Sequence, residues 1–127
     1  MSAAPSGQIG GCGVAPATVA IEPSLEPARS RFCGQIVGRI LAFEAFRAAI
    51  VAQSDPRQGW HEIAGLAHMI AGTAETVGFP RAGQLAGALE LATRQALAGQ
   101  TPLAAQWPTI EPQLDDLLDA LEQLLDA

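Results

Sequence analysis

Apolar positions along the chain gather into four stretches at helical intervals, separated by proline and glycine. In the first, Phe32, Ile36, Ile40, Phe43 and Ile50 fall on one face, which predicts a helix from Ser30 to about Gln53. Arg47 falls on that same face, either as a snorkelling stem or as a partner of Glu44. Ser54, Asp55 and Pro56 read as a cap followed by proline at the first helical position. The second helix runs to Val77, and Gly78 is its stop. Pro80 opens a third helix carrying Leu85, Leu89 and Leu97, ended by Gly99. Thr101 and Pro102 open the last helical region, which Pro108 and Pro112 kink or delay. Beyond them Leu114, Leu117, Leu118, Leu121 and Leu125 form a strong apolar stripe. No strand pattern, internal repeat or glycine-rich phosphate loop is evident. The expected fold is therefore all-α, an antiparallel up-down four-helix bundle with short connections. Residues 1–28 are rich in Ala, Gly, Pro and Ser without a sustained period and read as a mobile tail, leaving residues 29–127 as the bundle.

Composition narrows the functional classes. The chain has 127 residues, enough for one domain with its own core, and its few aromatics leave Ala and Leu to build most of that core. A net charge of −6 argues against nucleic acid, which needs a basic face. Cys12 and Cys33 are too few for a disulfide framework and have no metal-like spacing. The first residues lack the basic and apolar regions of a secretory leader, and no apolar run approaches the roughly 18 residues that span a bilayer. A cytoplasmic protein without a membrane partner is expected. The acids of the last helix, Asp115, Asp116, Asp119, Glu122 and Asp126, lie opposite its leucines and read as a solvated face. Gly34, Gly38, Ala42, Ala45 and Ala49 form a small-residue strip on the first helix, suited to close packing within the bundle or against a partner.

The chemistry concentrates in the second helix. At about 100° per residue, Ile63, Leu66, Ala67, Ile70, Ala74 and Val77 gather on one side, and His68 stands about 160° from Ile70. Its neighbours one turn away are Ala64, Gly65, Ala71 and Gly72, all small. A glycine inside a helix costs about 1 kcal/mol relative to alanine, a cost that makes sense if something must reach the imidazole closely. Other chemistries lack their parts. His61-Glu62 hints at a zinc-protease helix, but Gly65 stands where the second histidine belongs. His61 and His68 are about 10 Å apart along the helix, too far to share one metal. Met69 beside His68 points in a different direction, and no haem-attachment motif is present. No serine or cysteine has an evident base partner.

The segment around His68 resembles the histidine-containing phosphotransfer (HPt) family, whose signature is histidine, often lysine three residues on, glycine at four and a small residue at five. His68, Gly72 and Thr73 match, and Gly78, Leu85, Leu89 and Glu90 continue the family spacing. The motif region runs from about Ile63 to Arg94, and the four-helix reading extends the resemblance over roughly residues 30–126. The resemblance implies that His68 accepts a phosphoryl group and that Glu90, on the facing helix, holds the other ring nitrogen; the bland alternative for Glu90 is an ordinary exposed carboxylate. It implies response-regulator receiver domains and a hybrid histidine kinase as partners, with the receiver supplying the phosphorylated aspartate and Mg²⁺ and this chain needing no cofactor. The chain would relay phosphoryl groups as a monomer without autokinase activity. Ala71 departs from the family, standing where the lysine is common. Arg94 either supplies the missing charge from the third helix or merely decorates a solvated face. Ala71 also favours a rival reading, a non-catalytic HPt-like adaptor that binds a receiver or kinase. A dimeric kinase-related phosphotransferase is a third possibility, but its nucleotide-domain-like region has no room here.

Overall fold

The computed structural model describes residues 11–12, 23–53 and 56–126. After a 3-10 turn at Pro23–Leu25 come α1 (Glu26–Val51), α2 (Pro56–Ala74), α3 (Pro80–Ala98) and α4 (Leu103–Asp126), with no strand among the described residues. Each helix packs on the next, and α4 returns to α1, closing the four-helix bundle. The core is one continuous cluster, with Phe32, Ile36 and Phe43 from α1, Ile63 and Ile70 from α2, Leu89 from α3, and Leu114, Leu117 and Leu121 from α4. Its aromatic content is small but central. Trp60 is buried edge-on to Trp107, with ring centroids 5.8 Å apart. Phe79, just before α3, packs on Phe32 at 5.6 Å.

Several helix limits differ from the sequence pattern for identifiable reasons. α1 starts at Glu26, ahead of Ser30, because Pro27 sits in the first turn, where a missing N–H costs no helical bond. The Ser54-Asp55 cap lies outside the described residues. α2 ends at Ala74 rather than Val77, and Phe79 N–H donates to the Ala74 carbonyl at 2.8 Å as the chain turns. Gly78 completes that turn with φ 99°, a left-handed conformation that favours glycine. Neither Pro108 nor Pro112 delays α4, which begins at Leu103 and runs through both. Both prolines are exposed, so the carbonyls they leave unpaired, those of Ala104 and Pro108, lie on the wet side of the helix. On the same helix Leu124 is buried and Leu125 is 41% exposed, so the inner stripe ends on Leu124.

The acidic face of α4 is not wholly solvated. Arg47 reaches across from α1 to Asp115 and Glu111 while also holding Glu44, so both alternatives for Arg47 reduce to pairing. Of residues 1–28, most lie outside the described residues, but Gly11 and Cys12 are tied to the bundle. Cys12 N–H donates to the Leu124 carbonyl at 3.0 Å, and the Gly11 carbonyl accepts from the buried Arg29 at 2.7 Å. Cys12 and Cys33, too few for a disulfide framework, nevertheless form a single disulfide. Their separation of 21 residues carries no spacing signal, because the fold and not the sequence brings them together. Disulfides are rare in the reducing cytosol, so this bridge and a cytoplasmic location point in different directions.

Candidate functional site

The α2–α3 pair packs through small residues. Ala64, Ala67 and Ala74 of α2 and Ala82 and Ala86 of α3 are fully buried. At Gly83 an added Cβ would press on the Glu75 backbone nitrogen at 3.2 Å, so α3 crosses the end of α2 closely enough that a side chain there would have to displace it. This close approach brings the polar ridge of α3 within reach of the polar ridge of α2.

His68 stands on that ridge with its side chain 69% exposed. Its Nδ1 lies 2.9 Å from Glu90 Oε2. The same oxygen accepts from Arg94 Nε at 2.9 Å, one turn further along α3. Glu90 is itself only 20% exposed. The hydrogen bond from Arg94 holds its carboxyl below the usual range; partial burial works the other way, and the bond to His68 adds to the drop. An ionised carboxylate can only accept, so His68 Nδ1 is the donor and carries the ring proton. The free lone pair is then on Nε2, which has no hydrogen-bond partner among the described residues.

The small residues around the imidazole divide into two kinds. Gly72 is exposed and Gly65 half-buried, and a Cβ at either would meet open space, so internal packing requires neither glycine. Ala64 does not belong to the open surround, because it is fully buried. Ala71 is half-buried against the core. Thr73 bonds its hydroxyl back to the Met69 carbonyl at 3.1 Å, a local tie within α2. Arg94 is half exposed, and its Nε is engaged by Glu90 while its terminal nitrogens have no hydrogen bond among the described residues.

Sequence reasoning passed over an apolar groove of about 400 Å³ beside this ridge, between α1 and α2. Ala42, Phe46, Leu66 and Met69 line it, and His61 and Glu62 form its rim. The available signal was Met69, a large apolar residue immediately after the histidine and off the core face, which the structure leaves mostly exposed. No three His, Cys, Asp or Glu side chains cluster as a metal site among the described residues. No described helix is long and apolar enough to cross a membrane.

No curated protein and no solved structure matches the chain. The family model described as Hpt domain matches residues 38–124, which take in α2 and α3 whole together with most of α1 and α4. Hpt domains serve histidine phosphotransfer in two-component signalling, together with receiver domains and histidine kinases. With well over half of its length matched, the chain belongs to the Hpt domain family.

Proposed function

We propose that His68 is the phosphoacceptor and that the protein, acting as a monomer, relays a phosphoryl group between receiver-domain aspartates, one of them on a hybrid histidine kinase. The observation that carries this reading is the His68–Glu90 pair: an exposed imidazole whose Nδ1 is bonded to an ionised carboxylate, with Nε2 turned free. In the forward step the Nε2 lone pair attacks the phosphorus of an aspartyl phosphate. The N–P bond forms as the bond from phosphorus to the aspartyl oxygen breaks, and the aspartate leaves as a carboxylate with the electron pair. The ring becomes a cation that keeps its Nδ1 proton, and Glu90 stabilises that charge through the existing hydrogen bond. Transfer onward to a second receiver reverses these bonds. The receiver brings the Mg²⁺ that neutralises the phosphoryl oxygens, and this chain supplies the nucleophile and its positioning. Open space at Gly65 and Gly72 supports close approach by the partner.

Labelled phosphoryl-receiver incubated with wild type and His68→Gln tests the assignment. The wild type should take up acid-labile label and the variant none, with helicity unchanged because His68 is exposed. Label persisting on the variant, including label moved to the exposed His61, would overturn it. Ala71 in place of a nearby cation favours one second reading, the non-catalytic adaptor. A wild type that binds receivers yet accepts no phosphate from any of them would establish that reading.

A further inference from the structure

Beyond His68 the α2–α3 ridge continues into a notch that, Arg94 apart, the phosphoryl chemistry does not use. On α2, Arg57, His61, Gly65 and His68 follow one another at helical spacing; on α3, Glu90, Arg94 and Leu97 do the same. Near the start of α2 and the end of α3, Arg57, His61, Arg94, Leu97 and Ala98 line an open surface notch of about 280 Å³. Arg57 Nη2 donates to the Leu97 carbonyl at 2.9 Å, which anchors its guanidinium at the C-terminal end of α3. Its remaining N–H groups, and the terminal nitrogens of Arg94, have no hydrogen bond among the described residues.

The charge balance here is opposite to that of the whole chain, whose net charge is −6. Among the described residues no carboxylate lines the notch, and Glu90 is already shared between His68 and Arg94. Glu62, beside His61 on α2, accepts from Gln58 at 2.6 Å and lines the apolar groove between α1 and α2. Two guanidinium forks therefore face one small notch with an apolar floor, an arrangement suited to a planar anion. Its position suggests the source of that anion. His61 is seven residues from His68, about 10 Å along the helix, whereas a standard protein interface covers roughly 800 Å² on each partner. A receiver whose interface is centred on His68 and has that area covers the notch as well.

We infer that the Arg57–His61–Arg94 notch is a docking site for a surface carboxylate of the receiver domain that exchanges phosphate with His68. This rests on the relay reading above. The notch recognises the partner, while His68 performs the chemistry seven residues away.

The test measures transfer from each receiver domain encoded by the same genome across a range of receiver concentration, for wild type, Arg57→Glu and His61→Glu. Because Arg57 also ties the end of α3, the exposed His61→Glu serves as the variant that leaves helix ends intact. Each variant should raise the half-saturating receiver concentration about tenfold, as a lost cross-interface charge pair does, with the limiting transfer rate within about twofold of wild type. Added salt should raise the wild-type half-saturation and flatten the difference from the variants. Phosphoramidate, a small donor that needs no docking, should label all three at the same rate. A receiver with one surface Asp or Glu changed to Lys should restore Arg57→Glu. If wild type transfers and both variants keep its half-saturation, the inference is overturned and the relay reading stands. A lower limiting rate at unchanged half-saturation also overturns it, making these residues positioners of His68. If no receiver labels wild type, both readings fall.

Discussion

Two ion clusters on this bundle use the same functional groups in inverse proportion. Between α1 and α4, one guanidinium serves three carboxylates: Arg47 lies 2.6 Å from Asp115, 3.3 Å from Glu111 and 2.8 Å from Glu44. Between α2 and α3, one carboxylate serves two bases, as Glu90 Oε2 lies 2.9 Å from both His68 and Arg94. The central groups are almost equally sheltered, Arg47 being 19% and Glu90 20% exposed. Burial disfavours the Arg47 charge, but hydrogen bonds to Asp115 and Glu44 outweigh it and raise its pKa above the ordinary arginine value. Glu90 is held ionised by its two bases in the same way. The difference lies in what is left over. Around Arg47 the cation is saturated and the surplus is acidic, so the cluster acts as a pin between helices. Around Glu90 one carboxylate oxygen holds both bases and the surplus is basic, with His68 Nε2 and the terminal nitrogens of Arg94 left without hydrogen bonds among the described residues. Stoichiometry, more than the presence of an ion pair, separates the pin from the proposed site.

After loss of His68 itself, the largest effect should come from removing the minority carboxylate. Glu90→Ala should slow phosphotransfer by about tenfold, since hydrogen bonds to charged groups contribute about 1.5–3 kcal/mol and this one is partly exposed. Glu90→Gln should lose less, because an amide oxygen still accepts from Nδ1. The same residue shapes acid stability. Its folded pKa is depressed, so its contribution is present above the ordinary value of 4.5 and is lost as pH falls through the lower folded value. Wild type should therefore lose stability more steeply than Glu90→Gln below about pH 4.5, as read by denaturation across an acid series.

Arg94→Ala should have a smaller effect, slowing transfer severalfold at low salt and less at high salt, because a half-exposed cation is screened. Ala71→Lys should recover part of that loss by placing a charge on the adjacent turn of α2. Equal rates for Arg94→Ala and wild type at low salt would leave Arg94 without a role in transfer.

Least of all should transfer respond to Arg47→Met. That variant should keep wild-type rates while losing about 1 kcal/mol of stability, since two of the three partner acids are exposed and Glu111 is half-buried, and such pairs are individually weak. A comparable fall in transfer would mean that the α1–α4 pin shapes the site on α2 and α3.

What the sequence made legible follows from how local each signal is. Helical phase alone places His68 off the core face, and Glu90 could be paired with it because the family spacing relates two residues on adjoining helices. Gly72 was legible as an open position, and the empty space at its Cβ site agrees. Ala64 was misread because phase on one helix says nothing about where a neighbouring helix crosses it. The Cys12–Cys33 bridge and the reach of Arg47 to Asp115 were hidden for the same reason, as both join segments far apart in the chain. Pro108 and Pro112 suggested a late start to α4 because proline propensity ignores the solvent side, where a lost backbone bond is replaced by water. The basic notch was invisible because Arg57 and Arg94 share it only through the α2–α3 crossing.

The tight turn at Gly78 has a consequence for how the site assembles. Every group assigned to recognition or chemistry, from Arg57 to Leu97, lies on two consecutive helices joined between Ala74 and Pro80. Bringing His68 to Glu90 thus requires closing one short loop, and closure entropy grows only slowly with loop length. The contacts of the site are local in the chain, the kind that form early and fast in helical proteins. α1 and α4 supply the cover that makes the hairpin stable, while the chain geometry around one left-handed glycine specifies which residues meet. Damage to the outer helices should therefore lower the population of folded protein before it distorts the pairing of His68 with Glu90.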